Sequence, residues 1–236
     1  MKAPLHGMAT SHPPLPADAR RGHSAFGCAL YASLWVLTRM FAVSVFGFRV
    51  RFAESLPKQG GLLVLSTHQS HLDPLLLGLS CHRRLSSMAR SSLYRFKPFA
   101  AIITALDAIP IDRESSTVAA MKGVINRLRD GAAVVIFPEG TRTADGKLGE
   151  LKGGFVLLAK RAGVPIVPVA IVGAWECWPR TRLFPRPGRI RLEFGRLLQP
   201  EQIAAMTDGE ILSACTAEIK HLDLAARAAW ESGRLK

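Results

Sequence analysis

Ala132-Ala133-Val134-Val135-Ile136-Phe137-Pro138-Glu139-Gly140-Thr141-Arg142 is the stretch on which the fold turns. Residues 132–137 form an unbroken apolar run, the pattern of a strand buried on both faces in the middle of a parallel sheet. The run then stops abruptly at a turn with a carboxylate, a glycine and a cation. Open α/β sheets collect ligands beyond the carboxyl ends of their strands. Glu139 and Arg142 therefore stand where a site is expected, and Gly140 permits a tight turn with close approach of a substrate.

Working outward, the chain alternates strand and helix patterns. Residues 48–52 have period two, residues 61–66 read as a short buried strand, and a helix is expected from Pro74. Residues 90–106 read as interrupted helix, 108–111 as a short strand and 115–128 as helix. After the central run come a helix at 152–162, a strand at 165–171, an edge strand at 189–194 and an amphipathic helix at 208–230. Pro168 is expected at an irregular or edge position of its strand. This order predicts an α/β fold: a layered domain whose mixed, largely parallel sheet is flanked by helices.

The second informative run is Thr67-His68-Gln69-Ser70-His71-Leu72-Asp73, which leaves the strand at 61–66. Asp73-Pro74 suits a helix start, with Asp as a possible cap. Across a turn, His68 and Asp73 can meet. A carboxylate bonded to one imidazole nitrogen fixes the tautomer and leaves the other nitrogen as a base. His71 is the rival base, but it lies only two residues from Asp73. Ser70 lacks the flanking glycines of a nucleophile elbow. Arg113, at the end of the strand at 108–111, and Lys152 are further anion-binding candidates.

The chain has 236 residues, 48% of them hydrophobic, enough for one domain with appendages. Its 31 basic residues against 18 acidic ones give a net charge of +13, which favours anionic partners: phosphorylated substrates, anionic lipid, an acidic carrier protein or nucleic acid. Arg83, Arg84, Arg90, Arg95 and Lys97 form a cluster that either faces such a partner or is a solvated basic face. The widely spaced Cys28, Cys81, Cys177 and Cys215 lack disulfide or zinc spacing and fit a reducing compartment. No zinc finger, RNA-binding aromatic motif or basic dimerising helix supports nucleic-acid binding.

Residues 1–24, rich in proline and poor in large apolar residues, read as a disordered arm. Residues 25–48 are apolar apart from Arg39. A secretory signal would need a short basic start and a cleavage site. A lipoprotein signal would need its apolar run before Cys28. A spanning helix would carry Arg39 near mid-span at a cost of about 2.5–3.5 kcal/mol. The segment is therefore expected to be a helix or helix pair at a membrane interface. Trp35, Phe41 and Phe46 would be its interfacial aromatics, and Arg20, Arg21 and Arg39 would meet head groups. Residues 49–236 would form the main domain.

Four blocks in order, His68 to Asp73, Ile109 to Arg113, Phe137 to Arg142 and Val164 to Pro168, resemble the glycerolipid acyltransferases of the 1-acylglycerol-3-phosphate acyltransferase type. The resemblance implies that His68, oriented by Asp73, deprotonates an acceptor hydroxyl, which attacks the thioester of acyl-CoA or acyl carrier protein without a covalent acyl-enzyme. It implies that Arg113 and Arg142 hold the acceptor phosphate and that Glu139 and Gly140 shape the acceptor site. Thr141 and Lys152 complete the expected substrate-binding set. No metal or cofactor is required. The expected partners are a lysophospholipid, an acyl thioester and the membrane surface, with acyl carrier protein a candidate and no nucleic acid. The implied location is the cytoplasmic face of the inner membrane. Three departures stand out: Thr67 where Asn is often found, Ala-Ile-Pro-Ile before Asp112 where a glycine and an aromatic are frequent, and Glu150-Leu151-Lys152-Gly153-Gly154 where a second basic residue is common. The last two leave a lyso-aminolipid open as the alternative acceptor to 1-acylglycerol-3-phosphate. A non-catalytic basic membrane- or nucleic-acid-binding protein is the reading from another class.

Overall fold

The computed structural model describes residues 25–81, 83–90, 109–111 and 117–232. The expected disordered arm at 1–24 lies outside them. Strands β1 (Arg49–Phe52), β2 (Leu62–Ser66), β3 (Leu85–Arg90), β4 (Ile109–Ile111), β5 (Ala133–Ile136), β6 (Ile166–Val172) and β7 (Arg191–Phe194) form one sheet in the order β1-β7-β6-β2-β5-β3-β4. All neighbours pair in parallel except β6 and β7. The helices are α1 (Ala25–Phe46), α2 (Asp73–Ser80), α3 (Thr117–Arg129), α4 (Gly154–Ala162), α5 (Ala174–Cys177), α6 (Pro200–Ala205) and α7 (Asp208–Ser232).

The sheet divides the core in two because successive strand residues point to opposite faces. Leu62 and Val64 of β2 join Trp35, Phe46, Leu76, Leu77, Ile171 and Phe194 on the face covered by α1 and α2. Leu63 and Leu65 join Leu128, Ile136, Phe155, Ile211 and Ile219 on the face covered by α3, α4 and α7. β2, β5 and β6 are buried along their whole length, which is why they read as unbroken apolar runs. Each fully buried leucine or isoleucine contributes about 1.5–3 kcal/mol.

The structure corrects four expectations. The strand expected at the sheet's edge, β7, sits between β1 and β6, and β1 takes the edge. β1 pairs with β7 in parallel through a connection distant in sequence, which local alternation cannot reveal. Second, β3 had no strand signal. Its Ser86 and Ser87 are buried polar residues, so a buried strand reads as a polar stretch. The interrupted helix expected over 90–106 otherwise falls outside the described residues. Third, Arg83 does not face a partner. It is buried, and its guanidinium donates to the carbonyls of Pro57 (3.0 Å), Gly60 (2.7 Å) and Gly131 (2.7 Å), tying loops that lead into β2 and β5.

Fourth, α1 is a single helix, and much of what was expected to meet lipid turns inward. Trp35 and Phe46 are buried in the core. The Trp35 indole donates to the Gly78 carbonyl (3.3 Å), and Arg39 donates to the Leu79 carbonyl. The Arg39 guanidinium lies over the rings of Trp35 (5.3 Å) and Phe48 (5.8 Å). A cation at the carboxyl end of α2 is favoured by that helix's dipole. The opposite face of α1 keeps Leu37, Met40, Phe41 and Val43 exposed. Among the described residues, no helix is long and apolar enough to cross a membrane.

Pro168 does sit at an irregularity, although β6 is interior. The β6–β7 ladder ends at Val169↔Phe194 and resumes at an isolated Ile166↔Leu198 bridge. Four steps along one strand thus face three along the other, a bulge that accommodates a residue without an N–H.

Candidate active site

β2 and β5 are parallel neighbours in register Leu65↔Ile136, so the residues that follow them emerge side by side. His68 follows β2, and Glu139 follows β5. Their meeting is direct: the His68 backbone N–H donates to Glu139 Oε1 (2.7 Å). The His68 ring stacks on Phe137, with centroids 4.0 Å apart and planes at 17°. The Thr143 N–H donates to the His68 carbonyl (2.9 Å). Backbone and ring are both fixed.

His68 Nδ1 lies 2.8 Å from Asp73 Oδ2; the His68 side chain is 19% exposed and that of Asp73 0%. An ionised carboxylate only accepts, so Nδ1 carries the proton and Nε2 holds the lone pair. Asp73 Oδ2 also accepts the backbone N–H groups of Gln69 (2.6 Å) and Ser70 (2.7 Å). Here the expected cap is corrected. Asp73 is the first residue of α2, and Leu72 takes the N-cap position without a side-chain bond. Its carboxylate turns back to close the loop between His68 and α2 rather than capping the helix. Three donors converge on one buried oxygen, and among the described residues Oδ1 has no hydrogen-bond partner.

His71, the rival base, is exposed, leans on Trp178 at 5.2 Å, and presents Nε2 to the Arg142 guanidinium. Partial burial, and then the neighbouring Arg142, pull its pKa down. Ser70 Oγ donates to the Trp178 carbonyl (2.7 Å) and accepts from the Leu72 N–H (3.2 Å). Both contacts give Ser70 a structural role in the turn.

The turn after β5 is closed by Gly140 N–H to the Phe137 carbonyl (3.0 Å), with Gly140 at φ +73°. Lys152 donates its N–H to the Pro138 carbonyl (3.0 Å) and folds its side chain over Gly140, where a Cβ would lie 3.3 Å from Nζ. Gly140, Thr141 and Lys152 are exposed and Arg142 is half-buried. β4 runs parallel to β3 and ends two residues before Arg113 in sequence; Arg113 itself lies outside the described residues.

The acyltransferase family model matches residues 47–172, more than half of the chain, and spans both signatures. The chain belongs to the acyltransferase family. This acyltransferase is 31% identical over 171 residues to the 1-acyl-sn-glycerol-3-phosphate acyltransferase of Bacillus subtilis (strain 168), covering 72% of this chain and 83% of that one. It is 32% identical over 173 residues to the protein of the same name from Pseudomonas aeruginosa, covering 72% of this chain and 65% of that one. Among solved structures it resembles the 1-acyl-sn-glycerophosphate (LPA) acyltransferase of Thermotoga maritima, with a TM-score of 0.70, 25% identity, and coverage of 86% of this chain and 84% of that one.

Several contacts that shape the candidate site could not be read from the sequence. Glu139 is buried, and its second oxygen accepts the Gly149 N–H (2.9 Å). A Cβ on Gly149 would meet Glu139 Oε2 at 2.9 Å, so a larger residue there would press on this carboxylate. Burial raises the Glu139 pKa against the opposing pull of the His68 and Gly149 amides. Each Glu139 oxygen keeps a lone pair for one further donor. Gln69 bridges the Gly146 carbonyl (3.3 Å) and the Trp175 N–H (3.4 Å), linking the His68 turn to the loop after Arg142. Thr67, the departure beside the motif histidine, donates its N–H to the Val169 carbonyl (3.2 Å) and accepts the Ile171 N–H on Oγ1 (2.9 Å), locking the end of β2 to β6. The signal for the two glycine- and threonine-based contacts was only a small or polar residue in a loop. Backbone donors carry no residue signature at all.

Proposed function

We propose that this acyltransferase moves a fatty acyl group from a thioester donor, acyl-CoA or acyl carrier protein, to the free hydroxyl of a lysophospholipid. The first-choice acceptor is 1-acylglycerol-3-phosphate, giving phosphatidic acid. The observation that carries the reading is the His68–Asp73 pair at the carboxyl edge of the largely parallel sheet, where His68 Nε2 has no hydrogen-bond partner among the described residues. The names of the relatives in Bacillus subtilis and Pseudomonas aeruginosa support the same acceptor.

In this reading Nε2 takes the proton of the acceptor hydroxyl. The oxygen forms a bond to the thioester carbonyl carbon, and the tetrahedral intermediate collapses with cleavage of the C–S bond. The departing sulfur receives the proton from His68, releasing free thiol. Asp73 holds the imidazole and stabilises its transient charge. General-base catalysis of this kind supplies typically 10²–10⁴-fold, and positioning supplies much of the rest. Arg142, Arg113 and Lys152 are the phosphate ligands of the proposal. Arg142 suits bidentate contact with an anion, and Lys152 hangs over the permissive Gly140. Glu139 fixes the His68 backbone and offers its remaining lone pairs to acceptor hydroxyls, with Thr141 beside it. None of these roles calls for a metal or a cofactor.

The acceptor is a membrane lipid, and the exposed apolar face of α1 supports work at a membrane surface. The free, buried Cys81, Cys177 and Cys215 fit a reducing, cytoplasmic side. The test is to incubate purified protein with acyl-CoA or acyl carrier protein and a panel of lyso-lipids, including lysophosphatidic acid and a lyso-aminolipid. Thiol release and diacyl product are read by mass spectrometry. Phosphatidic acid as the preferred product supports the reading. A diacyl aminolipid moves the acceptor, and free fatty acid with no diacyl product replaces transfer by hydrolysis.

A further inference from the structure

The segment after α5 reads Pro179-Arg180-Thr181-Arg182-Leu183-Phe184-Pro185-Arg186-Pro187-Gly188-Arg189, with four arginines and no acidic residue. It plays no part in the chemistry above. It is nevertheless a built loop. The Trp178 indole donates to the Arg182 carbonyl (3.0 Å), and Arg182 N–H to the Pro179 carbonyl (3.1 Å). Arg186 N–H donates to the Cys177 carbonyl (2.9 Å), and its Nε to the Glu176 carbonyl (2.5 Å). Three prolines stiffen it further. At the tip of this pinned loop Leu183 is 79% exposed and Phe184 72% exposed. Two large apolar side chains held in water by an ordered, arginine-flanked loop call for an apolar partner with anionic groups around it.

The loop's position narrows that partner. Its outgoing leg starts at Trp178, which packs on His71 and accepts from Ser70, both in the His68 turn. Its returning leg is bonded to the end of α1: Gly188 N–H to the Val45 carbonyl (3.2 Å) and Ile190 N–H to the Phe46 carbonyl (2.8 Å). The loop thus bridges the catalytic turn and the helix that exposes Leu37, Met40, Phe41 and Val43. Among the described residues, Arg180, Arg182, Arg186 and Arg189 form no ion pair with a carboxylate.

We infer that residues 179–189 form a second membrane-docking element, separate from α1, for an anionic bilayer. Leu183 and Phe184 enter the acyl-chain boundary, and Arg180 and Arg182 sit among anionic head groups. The loop thereby sets the His68 edge against the surface that holds the lipid acceptor. Only that last consequence rests on the proposed function; the docking itself does not.

The binding measurements use the full chain and vesicles without acyl donor or lyso-lipid, so they stand whether or not the acceptor is correctly named; the turnover controls alone rest on the proposed function. Co-sedimentation is measured on pure phosphatidylcholine and on equal parts phosphatidylcholine and phosphatidylglycerol. Leu183→Ser with Phe184→Ser should weaken binding to both by about tenfold or more. Arg180→Gln with Arg182→Gln should weaken binding to the anionic vesicles alone, by about fivefold per arginine at low salt. Turnover of a short-chain, water-soluble lysophosphatidic acid should be unchanged in both. A Phe184→Trp variant, which keeps an aromatic tip, should gain emission that brominated lipid quenches above the wild-type background. Unchanged vesicle binding in both double variants overturns the proposal, as does a Phe184→Trp signal that brominated lipid leaves untouched. Loss confined to turnover with acyl carrier protein would assign the loop to a protein partner instead.

Discussion

Asp73→Asn is the most discriminating substitution at this site. Asp73 Oδ2 accepts from His68 Nδ1 (2.8 Å), the Gln69 N–H (2.6 Å) and the Ser70 N–H (2.7 Å). Asparagine keeps the shape and can place its carbonyl oxygen where Oδ2 now sits. All three donors then keep an acceptor, but each trades a charged one for a neutral one, a loss of roughly 1 kcal/mol per bond. Removing a buried carboxylate whose Oδ1 is unpartnered recovers part of that, because an ion in such a place is poorly solvated. The net cost to stability should be about 1–2 kcal/mol, a melting shift of roughly 2–8 °C for a domain of this size. Activity should fall much further. In the proposed mechanism, the imidazolium that forms when His68 takes a proton would lose its counter-charge, worth about 4 kcal/mol at roughly 4 Å and an effective dielectric constant of about 20. That is a drop in kcat of about a thousandfold. Asp73→Ala strands all three donors and should destabilise by roughly 3–5 kcal/mol. Steady-state thiol release and thermal melting on the same preparations separate the two effects. A folded Asp73→Asn protein with kcat within tenfold of wild type would refute the role given to Asp73.

Three other outcomes follow from particular contacts. Glu139→Gln puts an amide N–H₂ against a backbone donor, a cost of about 1–3 kcal/mol. Because burial raises the folded-state pKa of Glu139, its favourable contribution is full below the ordinary glutamate value and is lost as pH rises through the raised value. The stability gap between wild type and Glu139→Gln should therefore narrow with rising pH in urea titrations, and a gap that widens would contradict the assignment. Arg39→Ala removes a donor at the end of α2 and a cation over Trp35 and Phe48; the urea midpoint should fall by an amount equal to about 1–2 kcal/mol with an unchanged slope. Burial pushes the thiols of Cys81 and Cys215 up to about 12 and that of Cys177 up to about 11. Peptide mapping after iodoacetamide treatment of the native protein at neutral pH should find these three unmodified, and labelled only once the chain is unfolded.

What the sequence revealed and what it hid have physical causes. β2, β5 and β6 were legible because a strand buried on both faces must be apolar throughout, and the polar residues that follow β2 and β5 mark the carboxyl edge. His68 and Asp73 were legible as a pair because the turn between them is short. β3 was hidden because its buried Ser86 and Ser87 look like loop residues in the chain. The direction of Arg39 was hidden because a long cationic side chain reaches head groups or a helix end equally well, and only the packing of α1 on α2 decides. The commitment of Glu139 to the amides of His68 and Gly149 was hidden because backbone donors are the same at every residue.

The proposed chemistry depends most on His68 as the base, so the direct measurement is the rate of acyl transfer to lysophosphatidic acid by wild type and His68→Ala side by side, with folding verified by melting. Diacyl product from the wild type and a loss of at least about a hundredfold in the folded variant is the predicted result. Product formed at a comparable rate by both proteins would contradict it.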